Sequence, residues 1–183
     1  EAVKGDPPGP GDEEITVWAG DGAVPASGTG QSLQITAPDK ALVITEIKPR
    51  VLTRESPIVG AFVGPSGAGT FLQYGVLADL DSDPVATEFY SDDADWSFPI
   101  SMGNDDNMVF TVVGSTSSGT VEWVVDIHYL VDGEANILTF PDETNPFVTT
   151  SVGSATKWWE WGSGWSEGAP AFGGQKVTPD PTP

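Results

Sequence analysis

What most constrains the fold of this chain is a succession of β-branched and aromatic segments, each closed off by Gly, Pro, Asn, Asp or Ser, with no sustained helical period between them. The segments that read as strands are 15–18, 32–36, 41–52, 58–63, 71–77, 85–90, 108–113, 120–131, 137–140 and 147–152. About eight to ten strands at such short spacing imply an all-β domain, a single antiparallel barrel or sandwich. The glycine-framed stretches Gly114 to Gly119 and Gly64 to Gly69 read as hairpin punctuation.

The longest strand carries the clearest alternation. Val121, Trp123, Val125, Ile127, Tyr129 and Val131 fall on one face, and Glu122, Val124, Asp126, His128 and Leu130 on the other. The first face belongs in a core; the second is half polar and suits a surface offered to a neighbour. Residues 1–14 hold a Pro/Gly-rich stretch without apolar periodicity and read as an extended N-terminal arm. The β domain then spans 15–153, and 154–183 reads as a Trp-rich segment followed by an extended C-terminal arm ending in Thr-Pro-Asp-Pro-Thr-Pro.

Charge narrows the setting. The 183 residues include 27 Asp and Glu against 7 Lys and Arg, a formal net charge of -20. Small domains usually carry a net charge of roughly 2 to 8 in magnitude, because a larger excess makes the compact state repel itself. Molar salt relieves that repulsion by shortening the screening length to about 3 Å, and an assembly that holds cations between acidic surfaces relieves it too. Direct nucleic-acid binding is disfavoured, since phosphates are neutralised by Lys and Arg clusters, and an anionic membrane surface is disfavoured for the same reason. With no cysteine, neither disulfides, a thiolate metal site nor a Cys nucleophile is available.

Candidate chemistry is thin. His128 is the only histidine, with Asp126 two residues earlier on the same face, the pattern of a general base or metal ligand; a lone strand histidine is more often a hydrogen-bonded structural residue. Gly64-Pro-Ser-Gly-Ala fails as a nucleophile elbow at its fifth position, and no phosphate-cradling glycine motif is present. Asp79, Asp81 and Asp83 open with the spacing of a calcium loop, but Pro84 stands where the loop needs Gly and Tyr90 where it needs the bidentate Glu. They stay as weak metal candidates beside Asp92, Asp93 and Asp95, or Asp105 and Asp106, against the simpler account of acidic loops in salty water. No cofactor is expected, and no enzymatic activity.

The segment from Lys157 to Trp165 holds Trp158, Trp159, Trp161 and Trp165, four of the seven tryptophans. Clustered indoles serve as an anchor in a protein interface, as a core plug, as a sugar platform or at a lipid boundary. Their irregular spacing beside a Pro/Gly arm favours the interface anchor.

An all-β chain of this size with halophile-like acidity, no cysteine and Pro/Gly arms resembles the smaller major capsid protein of halophilic archaeal icosahedral viruses with an internal membrane. That resemblance, which covers the whole chain and carries over no functional residue, implies a single upright jelly roll. It also implies a place in the virion capsid, association with copies of itself and a second capsid protein in capsomers, and proximity to the internal membrane. Two other expectations compete: a surface-filament or virion-decoration subunit whose terminal strand pairs with a neighbour's sheet edge, and a secreted halophilic carbohydrate-binding module, extracellular or at the cell surface.

Overall fold

The computed structural model describes residues 2–3, 24, 26, 29–37, 40–65, 74–91, 97–153, 155–161, 165–167, 171–172 and 175–176, with side chains described within 24–59, 74–91 and 97–153. Every regular element among them is a strand. In chain order these are β1 (Ala2–Val3), β2 (Thr29–Thr36), β3 (Leu42–Glu55), β4 (Gly60–Pro65), β5 (Tyr74–Asp79), β6 (Ala86–Ser91), β7 (Ile100–Met102) and β8 (Asn107–Ser115). They continue with β9 (Thr120–Val131), β10 (Glu134–Phe140), β11 (Phe147–Thr150), β12 (Ala155–Trp161), β13 (Trp165–Glu167), β14 (Ala171–Phe172) and β15 (Gln175–Lys176). The expected strand at 15–18 lies outside the described residues, as do most of both proposed arms.

Two sheets pack together as a sandwich. One runs β10-β9-β3-β7, with β11 also paired to β9; the other runs β2-β8-β5-β6. A further sheet, β1-β4-β12-β13, takes in the Trp-rich strand β12, and β14 pairs with β15. Most pairs are antiparallel, but β5 with β8 and β4 with β12 are parallel, pairings that a strictly antiparallel jelly roll would lack.

Side-chain alternation sets the register. The face of β9 expected to be apolar is the core face: Val121, Trp123, Val125 and Ile127 are buried against Leu42, Ile44 and Ile47 of β3, and against Phe110 and Val112 of β8 and Val76 of β5 in the opposing sheet. Trp123 is wholly buried, and its indole Nε1 donates to Thr149 Oγ1 at 2.9 Å, so the largest side chain of the core keeps no stranded donor. The ring leans on Phe147 at 4.9 Å. On the other sheet, Gly114 makes room for it: a Cβ there would meet the indole at 2.6 Å.

The stretch from Gly114 to Gly119 is not a hairpin. β8 and β9 lie in different sheets, so this segment arches across the end of the sandwich; Gly119 takes a positive φ of 80°, with Glu55 O where a Cβ would stand. Of the stretch from Gly64 to Gly69, residues 66–69 lie outside the described residues; the strands on either side, β4 and β5, belong to different sheets. A hairpin of two-residue type is β9-β10, turned at Asp132 and Gly133 with φ of 53° and 81°, the left-handed pair of a type I′ turn. Pro49 is tolerated within β3 because β7 reaches only from Leu42 to Ile44, leaving β3 beyond it paired with β9 alone.

Candidate functional site

Two features could hold chemistry: the charged outer face of the β10-β9-β3-β7 sheet, and the acidic loops at the end of the sandwich. On the face, cross-strand register places Glu46 opposite His128, Lys48 opposite Asp126 and Arg50 opposite Val124. Arg50 reaches diagonally to Asp126, with Nε 2.7 Å from Oδ2 and Nη2 3.3 Å from Oδ1, and a second contact of 2.7 Å joins it to Glu143. Thr139 Oγ1, from β10, donates to Asp126 Oδ1 at 2.7 Å.

Burial pushes the Asp126 carboxyl up, but the hydrogen bonds from Arg50 and Thr139, aided by Arg50's charge, outweigh it and leave the group below the usual carboxylate range. The hydrogen bonds to Asp126 and Glu143 hold the Arg50 guanidinium higher still. Asp126 is therefore committed to Arg50 and Thr139, not to His128. The His128 ring, half-buried, has its Nε2 4.0 Å from Glu46 Oε2, too far for a hydrogen bond. This is a structural ion-pair cluster holding β3, β9 and the loop after β10 together, without the base-orienting geometry that a catalytic dyad requires.

At the end of the sandwich, Asp81 in the β5-β6 turn takes donors from the β8-β9 arch: Thr116 Oγ1 and Ser117 Oγ at 2.6 Å, the Ser117 amide at 2.7 Å and Ser118 Oγ at 3.0 Å. Burial raises its carboxyl, and those hydrogen bonds together overcome it, so the group sits well below the usual carboxylate range. Asp79 Oδ1 accepts from the Asp81 amide at 3.0 Å, while Asp83 is exposed. Arg54 completes the fastening, donating to the carbonyls of Leu80 and Ser82 from the other sheet. An open depression of about 630 Å³ lies alongside, lined by Asp79, Asp81, Ser115, Thr116, Ser117, Val152 and Gly153.

Asp79, Asp81 and Asp83 thus do not converge on a common point. Among the described residues no group of three His, Asp or Glu side chains is placed to hold a metal ion. Asp92, Asp93 and Asp95 lie outside the described residues. Asp106 turns its carboxylate onto the Gly103 amide at 2.6 Å, an ordinary turn contact. The backbone puts Trp158, Trp159 and Trp161 on β12, beside β4, and sets Trp165 opposite Trp161; their side chains lie outside the described residues.

What the sequence did not single out is the other outer face. The outward positions of β2 are Gly30, Ser32, Gln34 and Thr36; those of β8 are Asn107, Val109, Thr111, Val113 and Ser115. None is charged. Val109 is 48% exposed in their midst. The outward positions of β5 and β6 add Leu77, Ala86 and Tyr90, with Asp79 and Glu88 as the only charges. Period-2 alternation carried the signal, but only the pairing of β2 with β8 assembles it into a surface.

Comparison of the chain with protein-family models, with curated proteins and with solved structures finds no match.

Proposed function

We propose that this chain is a structural subunit that works by association in concentrated salt, of the capsid kind its overall character resembles, with copies of itself and a second capsid protein as partners. The observation that carries the proposal is the uncharged surface across β2 and β8 on a chain of net charge -20. Two such chains repel wherever carboxylates face each other, so a stable contact costs least where a flat, partly apolar patch offers none. Hydroxyl and amide groups interleaved with Val109 and Val113 suit a polar, wet contact between sheets.

On the charged face Asp126 is engaged with Arg50 and Thr139 and Glu143 with Arg50, and Asp81 is engaged with the arch. Association accounts for both arrangements without a substrate. Sedimentation of the purified chain in molar and in 0.1 M NaCl tests the proposal. The expected result is closed oligomers in molar salt whose association weakens at least tenfold in 0.1 M, as the screening length grows from about 3 Å to about 10 Å. A chain that stays monomeric at every salt and protein concentration removes the proposal.

A further inference from the structure

The strand β10 ends its sheet, for among the described residues only β9 pairs with it. Edge strands are normally blunted by lysine, proline or a bulge. Here Glu134 is the sole charge in Glu134–Phe140, and Ile137 is 61% and Leu138 53% exposed.

Hydrogen-bond phase follows from the turn. In a two-residue type I′ hairpin the flanking residues, Val131 and Glu134, exchange both their hydrogen bonds. Alternation then turns the backbone groups of Glu134, Asn136, Leu138 and Phe140 toward β9 and leaves those of Ala135, Ile137 and Thr139 directed out of the sheet.

We infer that a second copy of this chain docks on this edge, β10 against β10 in antiparallel fashion, around a two-fold axis at Ile137. This rests on the associating subunit proposed above and names one of its contacts. A two-fold contact repeats each residue in reverse order: Ile137 meets Ile137, and Ala135 meets Thr139. Every outward backbone group then finds a partner, about six hydrogen bonds in all. Charge favours this register. Glu134 falls opposite Phe140 of the other copy, which separates the two Glu134 carboxylates by roughly 20 Å along the ladder, well past the screening length of about 8 Å at physiological salt. A register that set Glu134 against Glu134 would stack like charges and lose most of the ladder.

The cysteine-free sequence makes the register directly readable. In molar NaCl with a mild oxidant, Ile137→Cys should form a disulfide-linked dimer at least tenfold faster than Ala135→Cys or Thr139→Cys alone, because only position 137 comes within disulfide reach of itself. A mixture of Ala135→Cys and Thr139→Cys chains should link as fast as Ile137→Cys. Ile137→Pro, which removes one outward N–H and spares the bonds to β9, should weaken association at least tenfold with an unchanged circular dichroism spectrum.

Wild-type oligomers that persist in Ile137→Pro, together with equal linking rates at the three cysteine positions, overturn the edge contact and leave the associating subunit standing. A wild-type chain that is monomeric under all conditions overturns both.

Discussion

The two outer faces of the sandwich deal with acidity in opposite ways. The face of β3 and β9 carries charge of both signs and pairs part of it: Arg50 bridges Asp126 and Glu143, and Lys48 lies opposite Asp126 in backbone register. Lys40 meets Asp132 at one end of the same sheet. Three of the chain's seven basic residues, Lys48, Arg50 and Arg54, lie on β3. The face of β2 and β8 carries no charge at its outward positions. A net charge of -20 is thus no uniform coat. Where the sheet is stitched by ion pairs, Asp126 and Glu143 are satisfied from within; where charge is missing, no carboxylate stands at an outward position.

The largest effect comes from breaking what joins the two faces. Gly114→Ala would drive a methyl group to 2.6 Å from the Trp123 ring, which is fixed by its bond to Thr149 and its contact with Phe147. Overpacking of a filled core costs typically 1–3 kcal/mol, and about 3 kcal/mol is expected because the ring has little room to yield. Denaturant midpoints at fixed molar salt measure it. A variant as stable as wild type would mean that the two sheets are not locked together here.

Next in size is the charged face alone. Asp126→Asn keeps the shape but leaves Arg50 with Glu143 as its only charged partner, and about 1.5–2 kcal/mol should be lost, the scale of hydrogen bonds to charged groups. The pH dependence follows from the lowered Asp126 pKa. A carboxyl whose folded pKa lies below its unfolded value contributes stability fully above the unfolded value, near 3.9, and loses it as pH falls through the folded pKa. The difference between wild type and Asp126→Asn should therefore be largest above about pH 5 and shrink on acidification. Urea unfolding across that range reads it. A difference that does not change with pH would mean that the charge of Asp126 contributes nothing.

The core face was legible in the sequence because large apolar residues alternate without interruption from Val121 to Ile127, and the expected and observed bounds of β9 coincide. Pairing was less legible. The glycine-framed segment at 114–119 marks a change of direction, and nothing local says whether the chain returns to the same sheet or crosses to the other. The apolar run alone starts β10 at Ile137; the Asp132-Gly133 pair is a hairpin signal that places its start at Glu134. β7, three residues long, is too short to show a period. The polar networks were out of reach because their members are far apart in the chain: 76 residues separate Arg50 from Asp126, and 36 separate Ser117 from Asp81. Only the fold brings them together, and in doing so it withdraws Asp81 and Asp126 from the chemistry that their spacing suggested.

The smallest effect on the folded chain should be the most informative about the uncharged face. Gln34→Glu is nearly isosteric, at an exposed outward position of β2 opposite Val109. It removes no described contact, so the stability of the monomer should stay within about 0.5 kcal/mol of wild type. If copies or partners meet across β2 and β8, each interface acquires a carboxylate without a counter-charge, at a cost of order 1–3 kcal/mol for an unsatisfied polar group and more for a charge, so association should fall at least tenfold. The loss should be smaller in molar salt than in 0.1 M, since screening acts on the new charge. Glu88→Gln, on the same sheet's edge strand β6, should move association in the opposite direction or leave it unchanged. Equal association of wild type and Gln34→Glu at both salt concentrations would show that this face stays in solvent, and the contrast between the two faces would then concern solubility alone.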